Sequence, residues 1–446
     1  MKALITSLVL GLFFCTTGFA TSEQAAEEKL ILIRNVNVFD GTSTKLSDGQ
    51  SVLIKGNTIE AVGKEIPVPS GAQVIDGGGR TLTPGFIDAH THLQWNLSVQ
   101  EHMNSPLDYQ GAIALVDAKN TLMRGFTTIR DVAGSVFGVK RAIDEGYYLG
   151  PRIYSSGAAI GMTTGHGDFR SEHTLPRQMG GPGETPLEKA GLTILADGVD
   201  EVQVAARMQF RKGAHFLKTF TGGAVSGMYD PLDIMEYSFE EIKAMADEAK
   251  RWNTYLAVHT YTDAATQAAI KAGAKTLEHC NLLTAKTVKM AVKNDCYISA
   301  QTGVYLSPAP DSFTAAQRER QQQAAQGLDN LMKLCKKYKA KVLFGADMVG
   351  SLENKRLHLT EFTNRTKWFS NAEILQQATS LNGEALALSG PRNPYPGKLG
   401  VIEKGALADI LLINGNPLED ISILLKPEEN LALIMKDGKI YKNMID

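Results

Sequence analysis

Phe86-Ile87-Asp88-Ala89-His90-Thr91-His92 opens as a buried strand and closes on two imidazoles. Residues i and i+2 of a strand point to the same face, so His90 and His92 can aim at one point. On an exposed strand such a pair would be two ordinary polar residues. The apolar residues from Leu82 to Ile87 argue for burial instead, and buried paired imidazoles need a partner such as a metal ion.

Working outward, the same kind of ending recurs along the chain. Short β-rich runs alternate with helical patterns at Thr81–His92, Thr127–Val132, Arg152–Ser156, His215–Phe220, Tyr255–Thr260, Thr276–Asn281, Tyr297–Thr302 and Val342–Asp347. Eight such runs with helices between them predict an α/β fold, a TIM-like (β/α)8 barrel. The helix before the fifth run is well marked. Ser238 and Glu241 form a capping box, with Ile242, Met245, Ala249 and Trp252 on one face. The next helix should stop at Gly273.

Lys218 closes His215-Phe216-Leu217-Lys218, His259 closes Tyr255–His259, His279 closes Thr276–His279 and Asp347 closes Leu343–Asp347. An ionisable group at the carboxyl end of a barrel strand reads as catalytic, because the mouth of the barrel lies there. Each alone could be a polar residue of the rim; five strands ending this way are hard to explain as accident. His102, His173, His215 and His358 match no motif position. His215 stands three residues before Lys218, on the opposite strand face, and reads as structural.

The flanks differ from the centre. Leu30–Ile33, Ser51–Ile54 and Gln73–Ile75 are separated by Asp40-Gly41, Lys55-Gly56-Asn57 and Asp76-Gly77-Gly78-Gly79, and the style returns at Asp409–Ile413 and Ala432–Met435. Both termini should therefore build one small β-sandwich domain, residues 28–80 plus 392–446, around a catalytic barrel at 81–391. Between about Gly161 and Thr185 no period is visible, but Gly, Pro and two His residues are frequent. A segment that long after the third barrel strand should cover the mouth.

Ahead of all this, Lys2, the apolar run Ala3–Phe14 and the small-residue site Gly18-Phe19-Ala20 have the order of a secretory signal peptide, residues 1–20. The run is about half of the roughly 20 residues a spanning helix needs. The expected product is periplasmic or secreted, with no membrane association after cleavage. Charge is nearly balanced, 46 basic against 48 acidic residues, which argues against nucleic acid as a partner. Cys280, Cys296 and Cys335 remain after cleavage, none at metal-ligand spacing, so any metal is held by nitrogen and oxygen.

Pro84-Gly85-Phe86-Ile87-Asp88-Ala89-His90-Thr91-His92 resembles the first-strand signature of the amidohydrolase superfamily. The resemblance covers nearly all of the mature chain. Gly397–Asp409 looks like the return into that family's small β domain. Gly165-His166-Gly167-Asp168, Lys218 followed by Gly222-Gly223, and the 20-residue step from His259 to His279 are most similar to the binuclear Xaa-Pro dipeptidases (prolidases) and their ochratoxinase-like relatives. The likeness implies two divalent metal ions, commonly zinc, sharing an N6-carboxylated Lys218. His90, His92 and Asp347 would hold one ion, and His259 and His279 the other. A metal-bridged hydroxide would attack the amide of a dipeptide or N-acyl amino acid, with Asp347 shuttling the proton to the leaving amine. His166 and Tyr229 resemble carbonyl-polarising or substrate-contacting residues, and Arg170 could bind a substrate carboxylate through its fork.

Alternatives on the same scaffold are a cyclic-amide or imidazolone hydrolase, a deaminase or an ochratoxin-type amidase. Lys218 argues for the peptidase side, since mononuclear members lack a bridging lysine. An inactive amidohydrolase-like binding protein is a remote alternative, because all six ligand positions are filled. The sequence leaves open a homo-oligomer.

Overall fold

The computed structural model describes residues 29–445, so the expected signal peptide lies outside the described residues. The N-terminal side forms β1 (Leu30–Val38), β2 (Ser47–Lys55), β3 (Thr58–Gly63), β4 (Gln73–Asp76) and β5 (Thr81–Pro84). The central strands are β6 (Phe86–Thr91), β7 (Phe126–Asp131), β8 (Arg152–Ser155), β9 (Ala159–Gly161), β10 (Thr193–Leu195), β11 (Leu217–Phe220), β12 (Leu256–Thr260), β13 (Thr276–His279), β14 (Tyr297–Ser299) and β15 (Lys341–Leu343). The chain ends through β16 (Ile410–Ile413), β17 (Leu431–Lys436) and β18 (Lys439–Asn443).

Both ends of the chain meet in one eight-stranded sheet, ordered β18-β17-β16-β5-β1-β2-β3 with β4 beside β1. Hydrophobic register holds it together. Ile31 stands opposite Ile54 and Ile33 opposite Val52, while Leu82 faces Leu412 across the junction of the two termini. These residues bury against Val401, Ile402, Ile410 and Met435 in a core of their own.

The expected run Thr81–His92 is two strands. β5 belongs to the terminal sheet and β6 to the central one, and Gly85 makes the passage. Its N–H donates to the Asp409 carbonyl at 2.8 Å, and a Cβ there would stand 2.1 Å from Thr127 Oγ1. Only a residue without a side chain lets the two sheets approach so closely.

The central strands are parallel, in a seven-stranded sheet β10-β9-β11-β12-β13-β14-β15 and a three-stranded sheet β6-β7-β8. Backbone hydrogen bonds tie their edges: Ala89 N to Phe344 O at 2.9 Å on one side, His215 N to Ser155 O at 2.9 Å on the other. β9 and β10 are additions to the eight runs legible in sequence. Helices pack between successive strands and share the main core with them. Phe239–Arg251 carries the expected capping box from Ser238 and Glu241 and buries Ile242, Met245 and Ala249. Full burial of Ile242 or Met245 contributes about 1.5–3 kcal/mol each. The following helix, Asp263–Ala272, stops at Gly273, whose φ is +115°.

Among the described residues no helix is long and apolar enough to cross a membrane. Cys280, Cys296 and Cys335 are buried and free.

Candidate active site

Strands β6, β11, β12 and β13, the residue after β6 and the segment after β15 deliver the six expected residues. His90 lies inside β6 and His92 one residue past it; His259 lies inside β12 and His279 closes β13. Lys218 is the second residue of β11 rather than its last. Asp347 stands beyond the end of β15 instead of closing that strand. The reason is local: its φ is +55°, and its N–H donates to His90 O at 2.8 Å, which turns the segment back onto β6.

The Asp347 carboxylate is the hub. Its Oδ1 lies 2.9 Å from His92 Nε2 and 3.4 Å from His90 Nε2, and its Oδ2 lies 3.8 Å from His279 Nδ1. His90, His279 and Asp347 each place a ligand atom within 4.8 Å of the others, a group that could hold a metal ion. The His259 and His279 rings are 4.4 Å apart between centroids, and those of His90 and His279 are 5.1 Å apart.

A supporting layer orients these rings. His90 Nδ1 meets Glu278 Oε2 at 2.8 Å, and Glu278 is paired with the Arg130 guanidinium at 2.8 Å. Arg130 also donates to Ala89 O and, at 2.8 Å, to Thr276 Oγ1. His279 Nδ1 lies 2.9 Å from the Tyr305 hydroxyl, itself 2.6 Å from that of Tyr261. Glu278, Arg130 and Tyr305 were not singled out from the sequence. Arg130 and Glu278 could have been found as charges placed within the β-rich runs Thr127–Val132 and Thr276–Asn281, where burial demands a partner.

The charge states follow from burial and neighbours. Burial would raise the Asp347 carboxyl, but the His90 and His92 rings more than offset it and hold its pKa well below the ordinary value. Burial, then the His279 and His166 rings, keep His259 well below the usual imidazole range. Burial also lowers His279 and His92, in each case against the pull of Asp347. His90 goes the other way, because Asp347 and Glu278 outweigh its burial. Burial brings Lys218 down to about 8, although Glu278 and Asp347 oppose the shift.

This is a donor set suited to a divalent cation. His92 Nδ1 and His259 Nε2 are buried with no hydrogen-bond partner among the described residues, a state that buried polar atoms seldom keep. The neutral forms favoured at His92, His259 and His279 and the ionised carboxylate of Asp347 are the ligating forms. Burial pushes the Cys280 thiol well up, so no thiolate competes.

The remaining expected residues fall differently. His166 reaches the centre: its ring stacks on His259 at 4.7 Å, and its backbone N–H donates to Glu236 Oε1 at 2.9 Å. Tyr229 lies on the loop after β11 with 37% of its surface exposed. The Arg170 fork is already filled, by Asp168 Oδ1 at 2.8 Å and Oδ2 at 2.5 Å. His215 precedes β11 rather than lying on the strand, and its Nδ1 accepts from Ser155 N at 2.8 Å. His358 Nε2 lies 2.9 Å from Asp88 Oδ2, and His102 Nδ1 lies 3.0 Å from Gln110 Oε1.

Residues 81–446 match the Amidohydrolase family. Ochratoxinase from Aspergillus niger is 29% identical over 378 residues, covering 81% of this chain and 75% of that protein. Its crystal structure superposes with a TM-score of 0.81 at 26% identity, covering 94% of this chain and 96% of that one. A solved prolidase in complex with N-methylphosphonate-L-proline gives 0.85 at 29% identity, covering 93% and 100%. A Xaa-Pro dipeptidase with methionine in its active site gives 0.81 at 26% identity, again covering 93% and 100%. The chain belongs to the amidohydrolase family, in the subgroup of prolidases and ochratoxinase, and is a hydrolytic enzyme acting on amide bonds.

Proposed function

We propose that this protein is a binuclear metallohydrolase that cleaves the amide bond of dipeptides, Xaa-Pro or other Xaa-Xaa, or of related N-acyl amino acids. The observation that carries the reading is Lys218, a buried lysine that interacts electrostatically with His92, His259 and His279 and whose own pKa falls to about 8. An ammonium cannot ligate, but an amine this close to neutral can take up CO2 and become an anionic carbamate. In this reading the eight strands β6–β8 and β11–β15 close into a (β/α)8 barrel, supported by the edge hydrogen bonds at Ala89–Phe344 and Ser155–His215. The terminal sheet folds over its own core as the small β-sandwich domain. The signal peptide would send the product to the periplasm or outside the cell.

His90, His92 and Asp347 would hold one divalent ion, and His259 and His279 the other, with Lys218 between them; zinc suits this nitrogen and oxygen set. Bound there, the ions supply Lewis acidity toward the scissile carbonyl and its attacking water. Asp347 takes the water's proton on a carboxylate oxygen and delivers it to the amine nitrogen as the C–N bond breaks. His166 and Tyr229 contact the carbonyl oxygen or the flanking substrate atoms, where hydrogen bonds strengthen as negative charge develops. Arg170 can grip a substrate carboxylate only by letting go of Asp168.

The test is a panel of Xaa-Xaa dipeptides, N-acyl amino acids and cyclic amides with zinc-loaded enzyme and bicarbonate. Cleavage of dipeptides, about two ions per chain, and loss of both activity and one ion in Lys218→Ala are expected. About one ion per chain with a fully active Lys218→Ala would sink the binuclear reading. Preference for cyclic amides would overturn the substrate class.

A further inference from the structure

We infer that Asp230 is a positioning residue that holds the His166 ring over the centre and sets which ring nitrogen meets substrate. The inference rests on the substrate role proposed for His166. Asp230 is 1% exposed, and its Oδ2 lies 3.3 Å from His166 Nδ1. The contact has the distance of an ion pair without the alignment of a hydrogen bond, and His166 Nδ1 is buried with its hydrogen-bonding capacity unfilled. Such pairs are often loose before substrate arrives and tighten with it.

The carboxylate is fixed by its own loop before it meets His166. Ala224 N donates to Asp230 Oδ2 at 3.0 Å. The chain wraps so closely that a Cβ at Gly227 would fall 1.8 Å from Asp230 Oδ1. Arg320, on the long helix Ala315–Tyr338, then clamps the loop from outside. Its guanidinium donates to the carbonyls of Ala224 at 2.9 Å, Asp230 at 3.0 Å and Gly227 at 2.7 Å. On the other side, Glu236 takes the His166 backbone N–H and the His259 ring stacks on its imidazole. His166 is thus gripped at backbone, ring face and Nδ1, and Nε2 is the atom left for substrate. A carboxylate at Nδ1 favours the proton on that nitrogen, which leaves the Nε2 lone pair to accept from a substrate N–H flanking the scissile carbonyl rather than to donate to the carbonyl oxygen.

Asp230→Asn keeps an oxygen for Ala224 N and removes the carboxylate. The expected result is a 10- to 100-fold loss of kcat/KM, carried by kcat, with zinc content unchanged. His166→Gln should lose at least as much, and the double variant little more than His166→Gln alone. Ring-nitrogen NMR of the zinc-loaded protein, assigned by subtracting His166→Gln, should show the Nδ1-protonated form of His166 in the wild type and a mixture of tautomers in Asp230→Asn. If Asp230→Asn lost activity equally in the His166→Gln background, or left the His166 ring nitrogens unchanged, the inference would be overturned. Should the wild type cleave no dipeptide or N-acyl amino acid, the substrate reading falls, and the NMR comparison still decides the role of Asp230.

Discussion

Two buried ionic clusters in this molecule differ in how completely they are paired. One joins β8 to the terminal sheet. Arg152 Nε donates to Asp409 Oδ2 at 3.0 Å, and its Nη2 donates to Asp409 Oδ1 at 3.2 Å and Asp437 Oδ1 at 2.8 Å. Asp437 N closes the ring onto Asp409 Oδ1 at 2.7 Å, and the guanidinium lies 5.1 Å from the Tyr395 ring centroid. The other cluster is the mouth, where Arg130 and Glu278 are satisfied but His92 Nδ1 and His259 Nε2 are not. Backbone strain divides in the same way. His279, Cys280 and Asp347 all have positive φ at the mouth, whereas the terminal sheet confines it among non-glycine residues to Asn35 and Asp437. Asn and Asp, Asp347 included, tolerate that conformation easily; Cys280 does not, so the strain of the mouth sits beside His279. Unspent ligand capacity and strained backbone together mark the cluster that does chemistry.

The largest effect that would sharpen this contrast is at the hub. Asp347→Asn keeps the shape and removes the base, so kcat on the best substrate should fall by roughly 10³-fold. Denaturant unfolding at matched metal loading should change far less than activity does. An Asn variant retaining a tenth of wild-type kcat would mean that Asp347 is a ligand alone and the proton travels by another group.

Arg152→Met makes the converse test. It leaves the buried Asp409 and the half-buried Asp437 without their cation, which costs about 3–5 kcal/mol when one partner of a buried pair is removed. Urea titration should show that loss, while kcat/KM of the folded fraction stays within about twofold. A large change in kcat/KM would mean that the two clusters are coupled through β8, and the division drawn above would fail.

The sequence revealed the mouth more fully than its supports. His90 and His92 were legible because strand alternation and apolar context can be read from neighbours, and His259 and His279 because each lies at or near the carboxyl end of a β-rich run. Asp347 was found as a residue but misplaced as a strand end, since a positive φ leaves no local pattern at an Asp. Glu278 and Asp230 are illegible for a different reason. Their meaning depends on partners far along the chain, His90 for one and His166 for the other, and no periodicity reports such contacts. Arg170 looks like a free fork in the sequence, because its pairing with Asp168 depends on how the loop folds back over two residues. The terminal sheet was visible from its turns, but the break at Gly85 was not, because it depends on the approach of Thr127.

The smallest effect concerns a histidine outside both clusters. Burial, with Lys140 adding to it, lowers His215 to about 4 from an ordinary value of 6.5, and its Nδ1 accepts the Ser155 N–H, which the protonated ring could not do. The folded protein therefore binds fewer protons than the unfolded chain between those two pH values. The contribution of the neutral ring is complete above pH 6.5 and is lost as pH falls toward 4, a total of about 3 kcal/mol. Gln at this position carries no charge at any pH, and its side-chain oxygen can still accept from Ser155. Unfolding free energies of wild type and His215→Gln, measured at equal metal loading between pH 7 and 4.5, should converge or cross as acid is added. A constant gap across that range would show that His215 titrates normally in the folded state. Metal loss in acid acts on both proteins alike, so the difference between them isolates this ring from the imidazoles of the mouth.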